Sequence, residues 1–257
     1  MFGYGYYGYG YGYGFGSTDL YVIAALLVCM IISVVASIKV KTTYSKFDKI
    51  PNRRGITGHE AARRLLQMNA VHGVSVGCVQ GNLSDHYHPT KGIVNLSTAT
   101  YSSSSVAAVA VAAHEIGHVV QHKCGTLSYR LRTALVTVTN VGSVLALPLV
   151  LIGFLLDLYV QYARDTELGF YLAMFGVVLY SLSFIFTLVT LPVELDASRR
   201  AGKMLLAAGI LSEDELPGAK KVLSAAAMTY VASMLTSLVY FLRFLLMVLS
   251  VFGKRDD

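Results

Sequence analysis

The residues able to do chemistry lie together in Val111-Ala112-Ala113-His114-Glu115-Ile116-Gly117-His118-Val119-Val120-Gln121-His122. His114 and His118 are four apart, about 400° of turn on an α-helix, so both imidazoles fall on one face. Two neutral imidazoles at that separation can share one zinc ion. Glu115, between them, is the kind of group that takes a proton from a metal-acidified water for attack on a polarised carbonyl. The helix context fits. Ser102 to Ser105 offer N-caps, and Val106 to Ala113 are apolar and Ala-rich. A catalytic zinc commonly takes three protein ligands and keeps one open position, so the motif calls for a partner elsewhere in the chain.

The elements that must position these groups belong to a membrane protein. The chain of 257 residues is 54% hydrophobic and 14% charged, against a usual charged share of about 25%. Its mean hydropathy is +0.56. The net charge of +6 reports topology before nucleic-acid binding. Cys29, Cys78 and Cys124 are widely spaced, with no Cys-x-x-Cys pair. Neither a disulfide framework nor a thiolate zinc site is expected, and the compartment reads as reducing.

Residues 1–18 are a Gly/Tyr-rich tail read as disordered. Leu20 to Ile38 is an uncharged run of 19 residues, roughly 28 Å as a helix, enough to cross the hydrocarbon core. A transmembrane helix is therefore placed at 19–38. The catalytic part follows at 39–132, with further transmembrane helices at 133–156, where Pro148 predicts a kink, and at 168–191. A second piece of the catalytic part spans 192–224. The last hydrophobic stretch, 225–252, is read as transmembrane or membrane-packed, with Arg243 snorkelling or paired. Segments 39–132 and 192–222 carry 12 and 5 of the 21 Lys and Arg. The positive-inside rule then puts both segments in the cytoplasm and both termini outside.

Within the catalytic part, Thr57-Gly58-His59-Glu60 reads as a capping box opening an amphipathic helix. Val74 to Val79 and Ile93 to Leu96 are strand candidates. Between them, Leu83-Ser84-Asp85-His86-Tyr87-His88-Pro89 is dense in polar and aromatic groups; Pro89 and the turn composition favour a loop at a cleft or gate. Glu194 and Asp196 are the acidic residues at the end of the third hydrophobic stretch, on the same predicted side as His114. A carboxylate from that separate helix would complete a His-His-Glu set. Its competing use is pairing with Arg199 or Lys203. On a helix Glu194 and Asp196 differ by about 200°, so one pose cannot bring both to a metal. Glu194, with the longer stem, is the expected ligand, and Asp196 a group that orients a partner.

His-Glu-Ile-Gly-His, the downstream Leu-Pro-Val-Glu-Leu-Asp-Ala-Ser-Arg-Arg-Ala and the Leu-Ser-Asp-His-Tyr-His-Pro segment together resemble the YugP-like neutral zinc metallopeptidases, bacterial membrane proteins. The resemblance runs from about Lys39 to Tyr230. It implies Zn2+ on His114 and His118, with Glu115 as base. The Glu-x-Asp-Ala-Ser block is similar to the glutamate-ligand segment of membrane zinc proteases of the HtpX and CAAX-protease type, which points to Glu194. Those proteases carry an acid four residues after the glutamate, where this chain has Ser198. The family loop reads Asp-His-Tyr-Asp-Pro, and His88 replaces its second Asp.

The expected architecture is a mainly α, polytopic membrane protein with a gluzincin-like helical catalytic domain and a small β edge element. Its expected activity is zinc-dependent endopeptidase chemistry at the cytoplasmic side of a bacterial plasma membrane. His86, Tyr87, His122 and Tyr230 are candidates for stabilising the oxyanion. The expected partners are a peptide or membrane-protein substrate and the lipid bilayer, not nucleic acid. Two rivals stay open: a site-2-type intramembrane protease with Asp196 as ligand, and a non-catalytic metal-binding scaffold whose zinc is closed by His122 or His88.

Overall fold

A computed structural model of the chain describes residues 17–160 and 167–252. The Gly/Tyr tail, but for its last two residues, lies outside the described residues, as do Arg164, Lys254 and Arg255 of the charge count. Seven helices and three short strands follow in the order α1 (Ser17–Asp48), α2 (Gly58–Met68), β1 (Ser75–Val79), β2 (His86–His88), β3 (Ile93–Ser97), α3 (Thr98–Tyr101), α4 (Val106–Lys123), α5 (Leu127–Val160), α6 (Glu167–Ala207) and α7 (Leu216–Phe252).

Helix α4 is the axis of the catalytic part. Ser105 caps it, its hydroxyl accepting from Ala108 N at 3.0 Å. Its alanines and valines are buried on nearly every side by α2, α6, α7 and the sheet, so small side chains let four neighbours approach at once. Leu65 of α2, Leu96 of β3, Ile116 of α4 and Leu205 of α6 fill the shared core. The capping box at Thr57 forms as read, with Thr57 N donating to Glu60 Oε2 at 2.8 Å.

The sheet has the order β1-β3-β2. β1 pairs parallel with β3, and β2 pairs antiparallel with it, Tyr87 opposite Val94. This corrects the loop reading of His86-Tyr87-His88. The alternation of three bulky ring side chains fits a pleat, and Pro89 falls one residue beyond the strand, where its missing N–H costs nothing.

Among the described residues, three helices are long and apolar enough to span a membrane: Leu20–Asp48, Leu168–Ala207 and Leu216–Leu249. A fourth candidate is the pair Leu127–Gly142 and Leu147–Gly153, bent by 44° beside Pro148. Helix α6 runs on beyond the apolar stretch read at 168–191, through Pro192 to Ala207, as one 41-residue helix. An interior proline costs about 3 kcal/mol. Burial of Val193, Ala197, Ala201 and Leu205 against the catalytic core offsets it.

Candidate metal centre

Helices α4 and α6 approach closely at Gly117. Gly117 stands where a Cβ would lie 2.7 Å from the Ala197 carbonyl oxygen. A side chain there would push the helices apart, so the glycine inside the His-Glu-Ile-Gly-His motif is a packing residue. This approach brings Glu194 of α6 to the two histidines of α4. Glu194 Oε2 stands 3.1 Å from His114 Nε2 and 3.4 Å from His118 Nε2. The three ligand atoms lie within 4.8 Å of one another, and among the described residues no other His, Cys, Asp or Glu joins them. His122 and His88 therefore do not close a fourth position.

The surroundings hold each group in place. His118 Nδ1 shares a 2.9 Å hydrogen bond with Gln121 Oε1, which fixes the ring with Nε2 toward Glu194. Gln121, fully buried, donates through Nε2 to Val193 O at 2.8 Å and to Asp196 Oδ2 at 2.9 Å. Arg200 Nε donates to the same Asp196 oxygen at 2.6 Å. Asp196 is thus neither a ligand nor turned away from α4: one helical turn along, it holds the glutamine that orients His118. Ser198 Oγ lies 3.2 Å from His114 Nδ1, so the hydroxyl four residues after Glu194 contacts the other ligand ring.

Glu194 is 1% exposed. Its Oε1 has no hydrogen-bond partner, although Arg132 Nη2 stands at ion-pair distance, 3.2 Å. A buried carboxylate with one oxygen unbonded is costly unless a cation sits beside it. Two imidazole nitrogens and one carboxylate oxygen suit zinc with an open fourth position, so the residues present fit that ion. Burial of His118 disfavours its imidazolium. The neighbouring carboxylates, Glu194 hydrogen-bonded to it and Glu115, outweigh this and raise its pKa above the usual histidine range.

Glu115, His114 and Tyr230 open together into a cavity of about 200 Å³ whose other walls include Val40 of α1, Leu83, Asp85 and Leu223. Asp85 accepts from Ser97 N at 2.7 Å, which ties the segment before β2 to β3. Tyr87 Oη and His122 Nδ1 share a 2.9 Å hydrogen bond beside Tyr129. Neither residue lines the cavity. His86 is elsewhere: exposed, with Nδ1 2.9 Å from Ser84 O and Nε2 3.0 Å from Asn95 Nδ2. Of the four oxyanion candidates, the structure places Tyr230 in the cavity.

Gln121, Gly117 and Arg132 went unremarked as functional in the sequence, and Ser198 was noted only as standing where similar proteases carry an acid. Gln121, three after His118, and Ser198, four after Glu194, carry a helical-spacing signal. Gly117 and Arg132 carry none, because their partners are on other helices.

Comparison with known proteins gives the family. The family model described as "Putative neutral zinc metallopeptidase" matches residues 21–249. The chain is 40% identical over 222 residues to the "Putative membrane protease YugP" of Bacillus subtilis (strain 168), covering 86% of this chain and 92% of that protein. No solved structure matches significantly. With two histidines of α4 and a glutamate of α6 gathered together, with α6 continuing into an apolar span, and with this match along almost its whole length, the chain belongs to the neutral zinc metallopeptidase family of membrane proteins.

Proposed function

We propose that the protein is a gluzincin-like endopeptidase that hydrolyses peptide bonds at the cytoplasmic face of the membrane. One observation carries this reading: His114, His118 and Glu194 converge within 4.8 Å while Glu115 lines a cavity together with His114. His114, His118 and Glu194 would hold the ion. Zinc so bound supplies Lewis acidity, polarising a peptide carbonyl and making a water easier to deprotonate.

The chain's own residues do the rest. Glu115 takes the proton from the attacking water and returns it to the leaving amine. Tyr230, whose ring borders the same cavity, is placed to donate to the developing oxyanion. The outer edge of β2 offers unpaired backbone groups to an extended peptide. Gln121 and Ser198 hold the ligand rings in orientation. The substrate is a peptide or a membrane protein. The cytoplasmic placement rests on the Lys and Arg asymmetry.

Two experiments test this. Glu115→Gln is expected to keep one zinc per chain and lose peptidase activity by about 100-fold or more. Zinc retained with wild-type cleavage would remove Glu115 as the base. Zinc retained with no cleavage by any preparation would favour the scaffold. Lys91→Cys, in a chain otherwise free of cysteine, should react with an impermeant reagent only after permeabilisation; ready reaction in intact cells would place the site outside.

A further inference from the structure

Two grooves flank the start of α7. One, about 560 Å³, lies between α1 and α7 and is walled by Lys39, Lys46, Lys220 and Lys221, with Thr43 and Phe47. The other, about 590 Å³, lies between α6 and α7 and joins Arg199, Lys203 and Lys220 to the apolar Leu206 and Leu223. Lys220 and Ser224 border both, and no carboxylate lines either. Among the described residues none of these five lysines forms an ion pair. Gathered like charges repel. Lys220 and Lys221 also stand in the second turn of α7, the helix end where the dipole favours acids. Such an arrangement is unfavourable by itself and is relieved by an anion.

The position says which anion. Lys39 and Lys46 follow the apolar run that ends at Ile38, Arg199 and Lys203 follow the run that ends at Leu191, and Lys220 and Lys221 precede the run that starts at Ala225. All six cations therefore lie beyond the same ends of three apolar runs, with Lys39, Lys220 and Lys221 within about 8 Å of them along their helices, the depth of headgroups. On α1, Ile31 and Val35 share a helix face with Lys39, Thr43 and Lys46 by spacings of three and four, and both are more than half exposed. A small soluble anion needs only the cations. An apolar strip running into them matches an acyl chain followed by a phosphate.

We propose that these lysines form a binding site for an anionic glycerophospholipid, its phosphate in the groove between α1 and α7 and one chain along Ile31 and Val35. The site is separate from the metal centre and does not depend on the peptidase reading.

The test uses the full-length protein in nanodiscs of phosphatidylcholine mixed with phosphatidylglycerol, with retained lipid counted by native mass spectrometry after release into detergent. The wild type is expected to retain phosphatidylglycerol about 10-fold over phosphatidylcholine. Lys220→Gln/Lys221→Gln, and separately Lys39→Gln/Lys46→Gln, should abolish most of that preference with zinc content unchanged. Lys220→Arg/Lys221→Arg should keep it. Arg63→Gln/Arg64→Gln removes the same charge from the exposed face of α2 and should leave retention intact. Equal retention of the two lipids by the wild type overturns the site, and equal loss in the α2 variant reduces it to general surface potential. Displacement of the lipid by inorganic phosphate would mean a free-anion site. Lysine-dependent binding of a polyglutamate peptide with lipid retention unaltered would mean a peptide surface instead.

Discussion

The two halves of α6 are one continuous helix with opposite relations to their surroundings. From Leu168 to Leu191 it exposes Tyr171, Phe175, Val178, Ile185 and Leu188, as a helix does when lipid is its solvent. From Val193 to Leu205 it buries a stripe at spacings of four, Val193, Ala197, Ala201 and Leu205, and carries Glu194 into the core. The membrane half packs by apolar contact with α5 and α7. The catalytic half packs by close approach on α4 and by a polar network. Side chains in the first half can change within the apolar class, whereas those in the second are held by partners with defined geometry. Continuity through Pro192 makes the helix a rod that ties the metal ligand to the bilayer.

The largest expected effect separates the halves outright. Glu194→Ala should abolish zinc retention under a graded chelator, because a third of the ligand set goes. Phe175→Leu, on the lipid-facing surface, should retain zinc like the wild type. If Asp196→Ala proved metal-free and Glu194→Ala fully loaded, the ligand assignment would reverse and the site-2-type mechanism would be favoured.

Next in size, Asp196→Ala and Gln121→Ala should each weaken zinc binding by about 10–100-fold, the usual consequence of freeing a ligand's supporting group. The two act through the same His118, so the double variant should lose much less than the product of the singles. Full additivity would mean that Asp196 acts by another route.

A matched pair of glycines sharpens the comparison further. A Cβ on Gly117 would meet Ala197 O at 2.7 Å, and one on Gly153 of α5 would meet Gly169 O of the membrane half, also at 2.7 Å. Both alanine variants should cost about 1–3 kcal/mol of stability from overpacking. Only Gly117→Ala should also loosen zinc, since it alone moves α6 where Glu194 is held. Thermal unfolding in detergent with zinc titration reads both, and equal zinc loss in the two variants would show that the halves are mechanically coupled.

The smallest effect is on pH dependence. The raised pKa of His118 means that its proton stabilises the metal-free fold at low pH, and this contribution is lost as the pH rises through that pKa. Zinc needs the neutral ring, so its apparent affinity should fall as the pH is lowered through the same window, which begins above the usual histidine range. Chelator competition at a series of pH values tests this. A flat affinity across the window would mean that His118 does not carry a proton beside Glu194 in the metal-free protein.

The comparison between two histidine-bearing stretches shows how far sequence reading carries. His114 and His118 were legible because α-helical spacing is local: residues four apart share a face wherever the helix goes. The capping box at Thr57, the N-cap at Ser105 and the apolar spans were legible for the same reason. His86-Tyr87-His88 was misread as a loop, because a three-residue strand exists only by pairing with β3, a partner that local composition does not encode. That the helix carrying Glu194 and Asp196 is continuous with the span through Pro192 was not legible, because the packing that offsets an interior proline is not local.

What the sequence determined by itself was the chemistry available: two imidazoles on one helix face, a carboxylate between them, and two acidic candidates at the end of a later span. What only the tertiary structure decided was which acid arrives and what holds it. Glu194 and Asp196 both reach α4, one to His114 and His118 and the other to Gln121, because Gly117 lets α6 lie against it at the Ala197 carbonyl. Arg132 comes to Glu194 from a third helix, and Ser198 stands beside His114. The reason is geometric. Periodicity fixes directions within a helix, while the distance and rotation between two helices follow from the side chains that meet at their contact.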